Sequence, residues 1–169
     1  MLFQIKSYLK FLWKSKNEHG VHSPFVFHLV TKCFYDKTEM KPYFSEFQIK
    51  TNKGKLYNRL FHYFQFKEGL YLSENKKPTV STNSKIDFIF IDSTYFNFNA
   101  NEITLADLLR QSNNDTCFIF DSIYSSPKNN LLWKTIIQNP SFTVTIDTYL
   151  FGFAFIRKEQ EKEHFVIRV

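Results

Sequence analysis

Two aspartates close two apolar runs. Asp92 follows Ile86-Asp87-Phe88-Ile89-Phe90-Ile91, and Asp121 follows Thr116-Cys117-Phe118-Ile119-Phe120. Short runs this rich in β-formers read as strands buried on both faces, as in a parallel sheet. Such sheets bind ligands at the carboxyl ends of their strands. Asp92 and Asp121 therefore stand where a ligand would be met; the plainer alternative is that each caps its own loop. His19-x-x-His22, with His28 and Cys33 nearby, is the other grouping with ligand chemistry, and zinc is what such residues would hold. No fourth ligand follows at a sensible spacing. His62 and His164 read as a helix-surface residue and a tail residue. No Ser-His-Asp order and no G-x-S-x-G are present, so a hydrolase has no support.

Glycine narrows the choice further. Only 4 of 169 residues are glycine: Gly20, Gly54, Gly69 and Gly152. Phosphate cradles and dinucleotide turns need two or three within a few residues, because the backbone must come close to the ligand. Neither G-x-G-x-x-G nor a Walker loop can be written with these four.

The elements that would position the two aspartates follow from periodicity. Residues 2–15 read as an amphipathic helix, with Leu2, Ile5, Leu9 and Leu12 as the stripe; such a helix could lie on a membrane, and packing on its own domain is the expectation. Lys6, Lys10 and Lys14 mark another face. Ser23-Pro24 starts a second helix, a capping serine before a proline at the first helical position. It is expected to run to about Tyr35 and to bury Phe25, Val26, Leu29, Val30 and Cys33. Residues 54–66 read as a third helix. A very short strand is expected at 70–73, a polar loop at 74–85, and strands at 86–91 and 116–120. Helices over 100–111 and 129–138 alternate with these. Strands over 142–148 and 151–157 form a pair, and 165–169 gives a last short strand. The order is that of an α/β fold.

Composition bounds the class. With 43% hydrophobic and 22% charged residues the chain is globular, and its apolar runs are too short to span a bilayer. Residues 1–13 resemble a targeting segment only superficially, since Lys6, Lys10 and Lys14 interrupt it and no small-residue cleavage site follows. Cys33 and Cys117 read as buried free thiols of a reducing compartment, so a cytoplasmic protein is expected. Residues 1–85 carry 15 Lys/Arg against 6 Asp/Glu, and residues 86–169 carry 7 against 10. The basic half permits a module that docks on an acidic surface through Lys6, Lys10, Lys14 and Lys76-Lys77. The lysines form no run, so neither nucleic acid nor a membrane is expected as a partner.

Three stretches resemble bacterial class I S-adenosylmethionine-dependent methyltransferases. They are His19-Gly20-Val21-His22-Ser23-Pro24-Phe25-Val26-Phe27 with Val30-Thr31-Lys32-Cys33; Phe118-Ile119-Phe120-Asp121-Ser122-Ile123-Tyr124; and a tail. The tail comprises Val144-Thr145-Ile146-Asp147-Thr148, Phe151-Gly152, Arg157-Lys158-Glu159-Gln160, Glu163-His164-Phe165 and Ile167-Arg168-Val169. In that family the histidine stretch looks like a structural lead-in to the second helix.

The middle of the chain departs from the family. An acidic, glycine-rich loop close to I-L-E-L-G-T-S-L-G there holds the cofactor's amino-acid part. The matching stretch here is Gly69-Leu70-Tyr71-Leu72-Ser73-Glu74-Asn75-Lys76-Lys77, which makes Gly69, Tyr71 and Ser73 a degenerate cofactor-binding set. Tyr71 takes the acidic position, and Ser73 and Lys77 take glycine positions. Two further β–α units normally come next, each βαβ unit needing roughly 30 residues. Residues 74–85 leave no room for them. In the catechol type, carboxylates after the fourth and fifth strands hold a divalent metal, and oxygen ligands suit Mg²⁺. Asp92 and Asp121 resemble two of these, and Ser122 replaces the second of two consecutive aspartates. The loop often written D-G-N-H is here Asp92-Ser93-Thr94-Tyr95.

The resemblance thus implies a single α/β domain over 1–169, with a helical part at 1–66 and a shortened, Rossmann-like methyltransferase part at 67–169. Four to five main strands are expected, ending in an antiparallel pair. It implies a truncated pseudo-enzyme with no cofactor. If the protein is active, it is a methyltransferase using S-adenosylmethionine and a divalent metal, completed by a partner or an unusual loop. An exposed sheet edge at 70–73 would allow a homodimer.

Overall fold

A computed structural model describes residues 2–43, 50–74, 86–95 and 103–169. The polar loop at 75–85 with Lys76-Lys77, and the first residues of the helix expected at 100–111, lie outside the described residues. The chain divides into two compact units, Met1–Ser15 with Lys67–Val166, and Lys16–Phe66 with Ile167–Val169.

The first unit is built on a mixed sheet. Its strands are β1 (Gly69–Leu72), β2 (Phe88–Ile91), β3 (Cys117–Asp121), β4 (Val144–Asp147), β5 (Phe151–Phe155) and β6 (Glu163–Val166), in the order β1-β2-β3-β5-β4-β6. β1–β2, β2–β3 and β4–β6 pair parallel, while β5 pairs antiparallel with both β3 and β4. Five strands therefore run one way and β5 runs against them. Four to five main strands were the expectation, and the sixth is β6. Its residues Glu163 and His164 are exposed, so it lacks the apolar signature of an inner strand. The Glu163 N–H donates to Thr143 O at 2.8 Å and starts its ladder two residues earlier than the apolar pattern indicates.

Strand alternation sorts the core. Leu70, Leu72, Ile89, Ile91, Phe118, Phe120 and Ala154 share one face and pack with Leu108, Trp133 and Ile136. Two helices cover that face, α4 (Leu105–Gln111) and α5 (Pro127–Gln138). Each start is specified locally. Thr104 and Asp107 satisfy each other's backbone N–H groups in a capping box, and Ser126 accepts from Asn129 N ahead of Pro127. Trp133 lies against Gly152, where a Cβ would fall 2.7 Å from its ring.

The N-terminal helix α1 (Leu2–Lys14) belongs to this sheet unit. Its packing corrects the sequence reading: Leu2, Ile5 and Leu9 are exposed, Leu12 is half-buried, and Phe11 is the buried residue. The cause is the Tyr149 ring, which meets Tyr8 edge-on at 4.9 Å and Phe11 at 5.5 Å, while its hydroxyl donates to Gln4 O at 3.1 Å. Those contacts rotate the helix so that its aliphatic stripe points away.

In the second unit, α2 (Pro24–Leu29) continues into a single π turn at Val30–Phe34, and α3 (Asn52–Phe64) packs beside that turn. Ser23 Oγ accepts from Val26 N, and Thr51 Oγ1 from Gly54 N. Val26, Leu29, Val30 and Cys33 are buried as expected, whereas Phe25 is only half-buried. Buried Asn58 accepts from Tyr43 N and donates to Lys41 O. Both cysteines are buried and free, and burial pushes the Cys33 thiol up, away from reactive thiolate.

Candidate functional site

β1, β2 and β3 bring the residues singled out in the sequence to one end of the sheet. Leu72 is in register with Ile91, and Ile91 with Phe120. Ser73, Asp92 and Asp121 are thus successive neighbours along the carboxyl ends of three parallel strands.

The two carboxylates each bond within their own loop. Asp92 Oδ1 accepts from Thr94 N at 2.9 Å and from Thr94 Oγ1 at 2.7 Å, so it closes its own loop. Ser122 Oγ donates to Asp121 Oδ1 at 3.2 Å. The Ser122 backbone is left-handed, with φ of 50°, and its N–H donates to Leu150 O. A serine held there is a strained residue at a strand end. Buried Asn129 ties the loops together: its amide donates to Ser93 O at 3.1 Å and to Ser125 Oγ at 2.7 Å. A cleft of about 160 Å³ opens beside Ser122, lined by Gln4, Tyr124, Ser125, Tyr149 and Leu150. Among the described residues no three histidine, cysteine, aspartate or glutamate side chains gather as a metal centre requires. This includes His19, His22, His28 and Cys33.

Gly69 and Tyr71 sit on β1, at the edge of the sheet. A Cβ at Gly69 would fall 2.0 Å from Cε1 of Phe88, its register partner. The room a glycine leaves is therefore filled by that ring, a packing device for a strand glycine. Tyr71 completes the patch, with ring centroids 5.2 Å from Phe88 and 5.7 Å from Phe90. Aromatic rings therefore cover this face of the described residues of β1.

A second cluster escaped the sequence reading. Asp147 ends β4, which runs parallel to β3, so it lies at the same end of the sheet as Asp121. Asp147 pairs with Gly152, and Gly152 with Phe120, which sets Asp147 on the Phe120 face and Asp121 on the opposite one. The Tyr124 hydroxyl donates to Asp147 Oδ2 at 2.6 Å, and Tyr149 N donates to Oδ1 at 2.8 Å. Tyr149 is also left-handed, with φ of 67°. Burial pushes the Asp147 carboxyl up to about 6, against the opposing pull of the Tyr124 hydroxyl and the Tyr149 N–H. Desolvation, then the neighbouring Asp147 charge, raises Tyr124 as well. A cavity of about 450 Å³ opens over this cluster, with Trp133 and His164 in its wall and Lys6, Lys10, Lys14 and Lys134 around it. His164 pairs with Thr145 Oγ1 at 2.9 Å, and desolvation pushes its imidazole down to about 4. The sequence carried the signal for this cluster. Val144-Thr145-Ile146-Asp147 is a third apolar run closed by an aspartate.

No protein-family model, no curated protein and no solved structure matches this chain. The α/β architecture with its six-stranded sheet rests on the topology itself.

Proposed function

We propose that this protein is a shortened, methyltransferase-like α/β protein that no longer transfers methyl groups. One observation carries the reading. β1 is an edge strand paired parallel and in register with β2, and only residues 73–87 connect them. A fold that had lost its second and third β–α units would leave its first strand in that position, directly beside its fourth. The ring contacts of Tyr71, which stands where the resembled family carries an acidic residue, support the same reading. So does the use of Asp92 within its own loop. The protein then serves through a surface rather than through a reaction.

Thermal melting with and without millimolar S-adenosylmethionine tests this. A ligand that binds only the native state at a hundredfold excess over its dissociation constant adds about 2.7 kcal/mol of stability. The expected outcome is an unchanged melting temperature. A rise of several degrees would establish a working cofactor site and overturn the proposal.

A further inference from the structure

The aliphatic stripe of α1 points outward. Trp13 is 85% exposed, Leu2 67%, Leu9 61% and Ile5 51%. At 3.6 residues per turn these four lie within an arc of about 80°. Large apolar side chains gathered on one surface strip mark an interaction face. The flank of this strip is purely cationic, because Lys6, Lys10 and Lys14 follow it along the helix and α1 contains no acidic residue. None of the three lysines is ion-paired within the described residues.

We propose that α1 is a peripheral anchor for anionic membranes. Its Leu2–Ile5–Leu9–Trp13 face would lie in the headgroup–acyl boundary, with the lysines on the phosphates. An apolar face bearing tryptophan, bordered by lysines and free of acids, is what an in-plane interfacial helix requires. Thirteen residues rise about 20 Å, too little to cross a hydrocarbon core of about 30 Å, so the helix lies along the surface. Charge complementarity selects the occupant. An antiparallel second copy placed face to face would bring one row of lysines against the other, and a parallel copy offers no acid on α1 to pair them, whereas an anionic bilayer supplies the opposite charge. The proposal rests on α1 alone and is independent of the methyltransferase reading.

Co-sedimentation with vesicles tests it, using equal parts phosphatidylglycerol and phosphatidylcholine, and phosphatidylcholine alone. The protein is expected to pellet with the anionic vesicles, to shift its tryptophan emission to the blue, and to release as salt is raised. W13F should abolish the shift, since the other tryptophan, Trp133, is buried. L9E should weaken binding about tenfold or more, a change of about 1.4 kcal/mol. Leu9 is exposed, so L9E should keep the wild-type melting temperature. Failure to bind the anionic vesicles, equal binding by L9E, or a dimer that L9E dissolves while vesicles leave the emission unchanged would each overturn the proposal.

Discussion

The Tyr124 hydroxyl donates to Asp147 Oδ2 at 2.6 Å inside a wall of aromatic rings. The carboxyl is 2% exposed and is pushed up to about 6 from an ordinary 3.8. A raised carboxyl favours folding when protonated. Its stabilising contribution is complete below pH 4 and is lost as pH rises through 6. The gap between 3.8 and about 6 is worth about 3 kcal/mol at most. Asp147→Asn removes the titration, so the melting temperature of the variant minus that of the wild type should increase by several degrees between pH 4 and pH 7. A difference independent of pH would contradict the burial assigned to this carboxyl. His164 works in the opposite sense, because its lowered imidazole withdraws stability as pH falls from 6.5 toward 4. The variant should therefore also show a steeper acid loss than the wild type.

Gly69 and Phe88 form a packing pair, and Gly69→Ala should show it. The new methyl would meet the Phe88 ring at 2.0 Å, and overpacking of this kind costs about 1–3 kcal/mol. Phe88→Ala in the same chain should absorb part of that cost, so that a double-mutant cycle by urea denaturation gives a coupling of about 0.5 kcal/mol or more. Additive effects would mean that Gly69 is kept for some other reason.

Asn129 joins the loops that follow β2 and β3. Asn129→Ala would strip Ser93 O and Ser125 Oγ of their donor. The expected loss is about 1–3 kcal/mol in denaturant unfolding. It should come with faster hydrogen exchange in both loops, at residues 92–95 and 122–126. Protection unchanged in the loop after β2 would show that the two loops are held independently.

Much of the fold was legible because its signals are local. Ser23-Pro24 is such a signal and sets the start of α2, whereas the caps Thr104 with Asp107 and Ser126-Pro127 start α4 and α5 at residues that the apolar periodicity misplaced. The inner strands are apolar runs with no competing helical period. β6 was legible only in part, since an edge strand that opens with Glu163 and His164 has no apolar alternation to read. The orientation of α1 was not legible at all. Its periodicity defines an apolar stripe but does not say whether that stripe or Phe11 is buried, and the deciding ring, Tyr149, is 138 residues away from Phe11. Asp92 and Asp121 were placed at the correct end of the sheet, yet the carboxyl enclosed there by Tyr124 and the Tyr149 N–H is Asp147. Its environment comes from Tyr124, Tyr149 and Trp133 together, a property of three-dimensional enclosure rather than of spacing.

The reversed direction of β5 bears on how the chain assembles. β4 is made before β5 yet lies outside it, so the sheet cannot grow by adding each new strand beside the last. The Asp147–Phe151 corner is short, with Thr148 and Phe151 bonded to one another, and lets β4 and β5 zip as a local hairpin. That hairpin must then dock through β5 onto the waiting edge of β3. Two parallel blocks, β1-β2-β3 and β4-β6, are thereby sewn along one antiparallel strand. Within the sheet, β5 is the seam on which cooperative folding of the two blocks depends.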